Sequence, residues 1–82
     1  METRIGVVGI VIESPRETAA LVNTILSEFS EVIVGRMGIP YRERNLSVMS
    51  LIVDGNTDDI GALTGKLGNI RGVSVKAALT KR

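Results

Sequence analysis

The sequence predicts an α+β domain, a four-stranded antiparallel sheet of order 4-1-3-2 with two helices on one face. Three observations lead there. Strand-like and helix-like stretches alternate as strand, helix, strand, strand, helix, strand. The two halves match when the chain is shifted by 41 positions: Ala19 meets Ile60, Val22 meets Leu63, Leu26 meets Leu67, Phe29 meets Ile70, Val32 meets Val73 and Val34 meets Val75. Ile5 to Ile12 carries no polar side chain, which suits a strand covered on both faces. Two matching βαβ halves give the ferredoxin-like plan, with the first and third strands in the middle.

Each element has its own local cause. Arg4–Glu13 (RIGVVGIVIE) is rich in Val and Ile and too short to cross a membrane. Ser14 suits a helix N-cap, Pro15 the first helical position and Glu17 the third residue of a capping box. The helix is expected to run to about Phe29, because Ala19, Val22, Ile25, Leu26 and Phe29 share one face. Glu31–Met37 reads as the second strand and Gly38 to Asn45 as a loop, with Gly, Pro and Asn as breakers. Leu46–Asp54 is the third strand. Gly55-Asn56-Thr57 turns the chain, and Asp58 and Asp59 favour a helix start. Ile60, Leu63, Leu67 and Ile70 give that helix its apolar face. Gly72 restarts an extended segment, Val73–Thr80, and Lys81-Arg82 is expected to fray.

Residues 1–82 make one domain, near the small end of what folds alone. Domains of this size are often helped by disulfides, metals or oligomerisation. The chain has no Cys and no His, so disulfides, thiolate metal sites and the commonest general base are excluded. Neither a metal nor another cofactor is expected. A net charge of +1 gives no field that would favour nucleic acid or an acidic membrane. Arg4 precedes an apolar run, but Glu13-Ser14-Pro15 follows in place of a small-residue cleavage site, so a cytoplasmic protein is expected.

The repeat also assigns faces. Met49, Leu51 and Val53, with Val8, Ile10 and Ile12, should meet the helices. The opposite face then carries Val7, Gly9 and Val11, with Val48, Ser50 and Ile52. The edge strands add Ile33, Gly35 and Met37, and Ser74, Lys76 and Ala78. An exposed apolar sheet face of that extent marks an interface. A homo-oligomer, dimer or tetramer, is therefore expected through the helix-free face.

Little in the chain carries chemistry. Gly6 and Gly9 lie inside a strand and cradle no phosphate, and Gly35–Gly38 lacks the Lys and Ser/Thr of a P-loop. Gly61, Gly65 and Gly68 share one side of the second helix and read as a place of close packing. Arg36, Arg42 and Arg44 with Tyr41 form the most distinctive polar stretch. Arginine forks suit carboxylate or phosphate, so this loop is a candidate ligand or partner contact; the preferred reading is a solvated hairpin whose arginines pair with acids of a neighbouring subunit. Glu13 and Asp54 end the leading strands of the two halves and are expected near one another. No nucleophile has an activating base, so no catalytic residue is assigned. RNA binding would need aromatics on the open face, where Val7, Gly9, Val11, Val48, Ser50 and Ile52 stand. Heavy-metal carriage would need Cys pairs.

The element order and the Glu13-Ser14-Pro15 turn resemble an ACT-like domain, although Arg16 stands where that pattern has glycine. RIGVVGIVIE, VGRMGIPYRER, SLIVDG, IGALTGKLG and GVSVKAALTK resemble the proposed iron-only hydrogenase system regulator family over nearly the whole chain. That resemblance implies an ACT-like fold, oligomers like those of the nickel-responsive repressor's C-terminal domain, and a regulatory role. The repressor's metal ligands, His and Cys, are lacking here. So are residues for a DNA-binding domain, so any transcriptional role is expected through a partner, without direct contact to nucleic acid. The expected function is a non-enzymatic regulatory or ligand-sensing module. The alternative is a protein-interaction or small-molecule-binding subunit with no transcriptional role.

Overall fold

The computed structural model describes residues 2–80. The elements are β1 (Arg4–Glu13), α1 (Pro15–Glu28), β2 (Ile33–Tyr41), a 3-10 turn (Arg42–Arg44), β3 (Leu46–Gly55), α2 (Thr57–Gly68) and β4 (Val73–Leu79). The strands form one antiparallel sheet of order β2-β3-β1-β4, the expected 4-1-3-2 read from the other edge. Lys81 and Arg82 lie outside the described residues.

The core is the one the repeat implies. Val8, Ile10, Ile12, Met49, Leu51 and Val53 are buried beneath Val22 and Leu26 of α1 and Ile60, Leu63 and Leu67 of α2. Val32 and Val73, matched by the shift, close it at its two ends. Two backbone hydrogen bonds tie those ends to the middle of the sheet: Asp54 N–H donates to the Val32 carbonyl (2.9 Å) and Glu13 N–H to that of Gly72 (2.7 Å).

The two helices start differently. Asn56 caps α2 from the extended region; its Oδ1 accepts from Asp59 N–H (2.7 Å) and its Nδ2 donates to Asp59 Oδ2 (3.0 Å). Ser14 forms no side-chain cap. A single residue reverses the chain between β1 and α1, and Ser14 does so in the left-handed region (φ 50°, ψ 58°), not in the extended backbone a capping side chain requires. Its carbonyl accepts from Glu17 N–H (3.1 Å) and from Thr18 Oγ1 (3.2 Å) instead. The expected capping box is therefore absent.

β2 is longer than its sequence suggests. Gly38 to Tyr41 pair with Met49 to Leu46, so most of the expected loop is strand, and the connection shrinks to the 3-10 turn. An edge strand tolerates Gly and Pro, because one side of it makes no ladder bonds. Tyr41 accordingly lies in the strand opposite Leu46, not in a loop. The register shifts between Ile33 and Gly35. Ile33, expected on the helix-free face, therefore stands opposite Val53 and packs against the core, while Val34 is exposed.

Two glycines are fixed by close approach. A Cβ on Gly55 would stand 2.7 Å from Val32 Cγ1, and one on Gly6 would stand 2.6 Å from the Ala78 carbonyl. Gly61, Gly65 and Gly68 have open space instead, so among the described residues nothing packs against the positions a Cβ would take there. Gly55→Ala is expected to lower stability by about 1–3 kcal/mol through overpacking. Gly61→Ala should raise it by roughly 0.5–1 kcal/mol through helix propensity. Urea unfolding of both variants measures the contrast.

Candidate functional site

Strand alternation and the pairing register build the helix-free face row by row. One row reads Gly35, Ile52, Val7, Ala78; the next Met37, Ser50, Gly9, Lys76; the third Ile39, Val48, Val11, Ser74. Val7, Met37, Ile39, Val48 and Ile52 are between 39% and 63% exposed and fall in adjoining rows, so they form one patch. Val11, Gly35 and Ser50 are half-buried. The face keeps every residue expected of it except Ile33. Sequence reasoning missed Ile39, because ending the second strand at Met37 removed its last rows. The signal was there: Gly35, Met37, Ile39 and Tyr41 alternate with Arg36, Gly38 and Pro40 across the supposed break.

The four residues of the arginine stretch do not converge. Arg36 lies in mid-β2, opposite Leu51, and so on the helix side of the sheet. Its Nη2 donates to Asn23 Oδ1 of α1 (3.1 Å). Tyr41 ends the strand on the other face, and Arg42 and Arg44 occupy the 3-10 turn beyond it, both exposed. Asn45 closes that turn in the left-handed region (φ 53°), its N–H donating to the Arg42 carbonyl (3.1 Å).

Glu13 and Asp54 are not neighbours either. Their expected proximity is wrong, because the ends of β1 and β3 would adjoin only in parallel strands and these two are antiparallel. Glu13 stands opposite Leu46 and Asp54 opposite Ile5, at the two ends of the pair. Their separation is roughly 27 Å at the rise of a strand. The pair can share neither a proton nor a cation. Among the described residues, no cluster of three or more acidic, His or Cys side chains is placed to hold a metal.

Three concavities lie on the helix side, one of them, of about 540 Å³, between α2 and β4 beside Gly61, Gly65 and Gly68. An open cleft of about 630 Å³ adjoins the β1–α1 turn, lined by Glu13, Ser14, Glu17, Thr18 and Arg71 among others. A smaller groove of about 250 Å³ runs between α1 and the inner face of β2. Its sides are Pro15, Ala19 and Asn23 from the helix, and Arg36, Gly38 and Pro40 from the strand; Ile12, Val22 and Met49 form an apolar floor. Among the described residues, no helix is long and apolar enough to cross a membrane.

The model of the TM1266-like family, whose members are described as proposed iron-only hydrogenase system regulators, matches residues 4–77. The uncharacterized protein TM1266 from Thermotoga maritima is 42% identical; the match covers 98% of this chain and 100% of that one, with a TM-score of 0.93. The ACT domain from GTP pyrophosphokinase of Chlorobium tepidum is 20% identical, with 94% and 100% covered and a TM-score of 0.79. SnoaB, a cofactor-independent oxygenase from Streptomyces nogalater, is 13% identical, with 99% and 94% covered and a TM-score of 0.60. The last two likenesses are of fold alone, and one of them is to an enzyme. No curated protein matches the chain.

Among the described residues, the Arg42 and Arg44 side chains form no ion pair and no hydrogen bond. An Arg42→Ala, Arg44→Ala double variant is therefore expected to unfold within about 0.5 kcal/mol of the parent in urea.

Proposed function

The chain belongs to the TM1266-like family of iron-only hydrogenase system regulators, and from that premise we propose that it is a non-enzymatic, cytoplasmic regulatory module that works as a homo-oligomer. The observation that carries this reading is the helix-free sheet face. Two helices cover one side of the sheet, and the other presents Val7, Met37, Ile39, Val48 and Ile52 to solvent. Burying such residues gains about 25 cal/mol for each Å² removed from water.

A second copy of the chain suits this face better than a charged partner. In an isologous contact the same patch meets itself, so like charges there would oppose assembly. Within the paired rows Lys76 is the only cation, and Glu13 and Asp54 stand at opposite ends. The centre is uncharged, and Gly9, Gly35, Ser50 and Ala78 let another surface approach closely. The same composition argues against nucleic acid, which calls for clustered Lys and Arg or stacking aromatics.

The non-enzymatic reading rests on the side chains. Hydroxyls are present in Ser, Thr and Tyr, but His and Cys are not, and the carboxylates expected to pair lie at opposite ends of β1 and β3. A role linked to an iron-only hydrogenase system follows from family membership, and regulation of transcription would pass through a partner.

Sedimentation at micromolar concentration is expected to find a dimer or tetramer; a monomer would overturn the assembly. Ile52→Lys, which places a charge at the centre of the face, should weaken association by at least about a hundredfold. Far-ultraviolet circular dichroism should be unchanged, since Ile52 lies outside the core. In cells that make the hydrogenase, capture of the tagged protein should recover a DNA-binding protein. Recovery of maturation enzymes instead would move the reading to an interaction subunit without a transcriptional role.

A further inference from the structure

The internal repeat shows what is unusual about the groove between α1 and β2. The shift that equates Ala19 with Ile60 also equates Arg36 with Ala77, Gly38 with Leu79 and Ser47 with Gly6. In the second half two of those positions are filled, while Thr64 and Ala77, the matches of Asn23 and Arg36, line a shallower concavity of about 540 Å³ between α2 and β4 that has no arginine. Ile60 is buried, and the Leu79 side chain lies across Gly6, where even a Cβ would collide with it. In the first half the counterparts are an alanine and a glycine. The strand that should complete the inner layer offers only Arg36, Gly38 and Pro40 past the bulge. A space of about 250 Å³ remains above Ile12, Val22 and Met49.

The polar groups at its rim are of one kind. Arg36 meets a neutral amide, Asn23 Oδ1, at 3.1 Å. The ion pair formed among the described residues is Lys66 with Glu28, elsewhere on the surface. No acidic residue lines the groove. The bond from Arg36 occupies the amide oxygen of Asn23 and leaves its NH₂ as a donor beside the guanidinium. Ser47 adds a hydroxyl. A cationic fork, an oriented amide donor and an apolar floor together ask for a carboxylate with a short apolar tail. A ligand ammonium would find no carboxylate to meet it. The volume lies below the ~300–1,000 Å³ typical of sites for drug-sized ligands, so the occupant is small.

We propose that this groove is a binding site for a short-chain aliphatic monocarboxylate, with Arg36 and Asn23 holding the carboxylate and Ala19, Pro40 and Met49 surrounding the tail. This rests on the regulatory reading for the purpose of binding, though not for binding itself.

The test is calorimetric titration of the wild-type protein with isobutyrate, with isobutyramide, valine and inorganic phosphate as comparisons. Isobutyrate is expected to bind with a dissociation constant in the millimolar range or tighter. Isobutyramide and phosphate should bind at least about tenfold more weakly, having lost the charge or the tail. Valine should also be weaker, because its ammonium group is unmatched. Arg36→Gln should weaken isobutyrate by at least about tenfold. Ala19→Phe, which fills the groove and keeps the arginine, should abolish binding while circular dichroism stays that of the parent. Absence of isobutyrate binding overturns the proposal, as does equal binding of the amide or of phosphate, or an Arg36→Gln variant that binds as well as the parent. Sedimentation of the same samples separates the two readings: a monomer that binds isobutyrate defeats the assembly alone, and an oligomer that does not bind it defeats the groove alone.

Discussion

Two helices can cover one face of a four-stranded sheet, and most of this structure follows from that limit. The central strands β1 and β3 are apolar on both faces. Val8, Ile10, Leu51 and Val53 lose nearly all contact with water beneath α1 and α2. Val7 and Ile52, their neighbours in sequence, lie on the other face and remain 46% and 43% exposed. The period of two that makes a strand thus divides one continuous apolar run into a finished surface and an unfinished one. In a chain of 82 residues without Cys there is no staple to compensate for a small core. Covering the second face with another copy would add the burial that the single chain lacks.

The halves of the repeat are equivalent in core and unequal at their edges. Val22 and Leu63, Leu26 and Leu67, and Val32 and Val73 are buried in pairs. At the edge strands the match fails. β4 keeps Val73, Val75, Ala77 and Leu79 on the helix side, while the corresponding stretch of β2 has a bulge, an arginine and a glycine. Besides the unlike helix starts, the departures gather at the β2 edge, where the groove lies. A duplicated fold tolerates such changes at an edge more readily than in the middle, since an edge strand has one neighbour to satisfy.

The sequence made the sheet order, the helix faces and the core legible because each depends on periodic burial, and a 41-residue shift reads that period twice. Its misreadings have physical causes of a different kind. Gly38 and Pro40 signal a break wherever a strand has neighbours on both sides, and the rule does not hold at an edge. Ile33 changed faces because one extra residue inverts the alternation, and the chemistry of Ile33, Val34 and Gly35 gives no sign of it. Glu13 and Asp54 seemed equivalent because the repeat makes them so; the antiparallel pairing that relates the halves places equivalent ends far apart. Ser14 has the right composition for a cap and the wrong backbone, which a one-residue connection imposes. The groove was illegible for the reason that it consists of missing side chains, at Ala19 and Gly38, which have meaning only once Ile60 and Leu79 are seen in their matched places.

The arrangement of β2 bears on how a regulator of this kind would work. Gly35, Met37 and Ile39 face the proposed assembly surface, and Arg36, Gly38 and Pro40 face the groove. One strand thus carries both surfaces, alternately, and they are separated by the thickness of its backbone. Coupling between a ligand and a second copy needs two states in which each binds differently. β2 is the element best placed to have them: it is an edge strand, bulged near its start, bonded to β3 alone and tied to α1 by the exposed Arg36–Asn23 contact. β1 and β3, each bonded on both sides and packed beneath both helices, have no such freedom. A carboxylate that drew Arg36 toward α1 would pull on the same peptide units whose other faces hold Met37 and Ile39. The energetic consequence would fall on the assembly face before it reached the core.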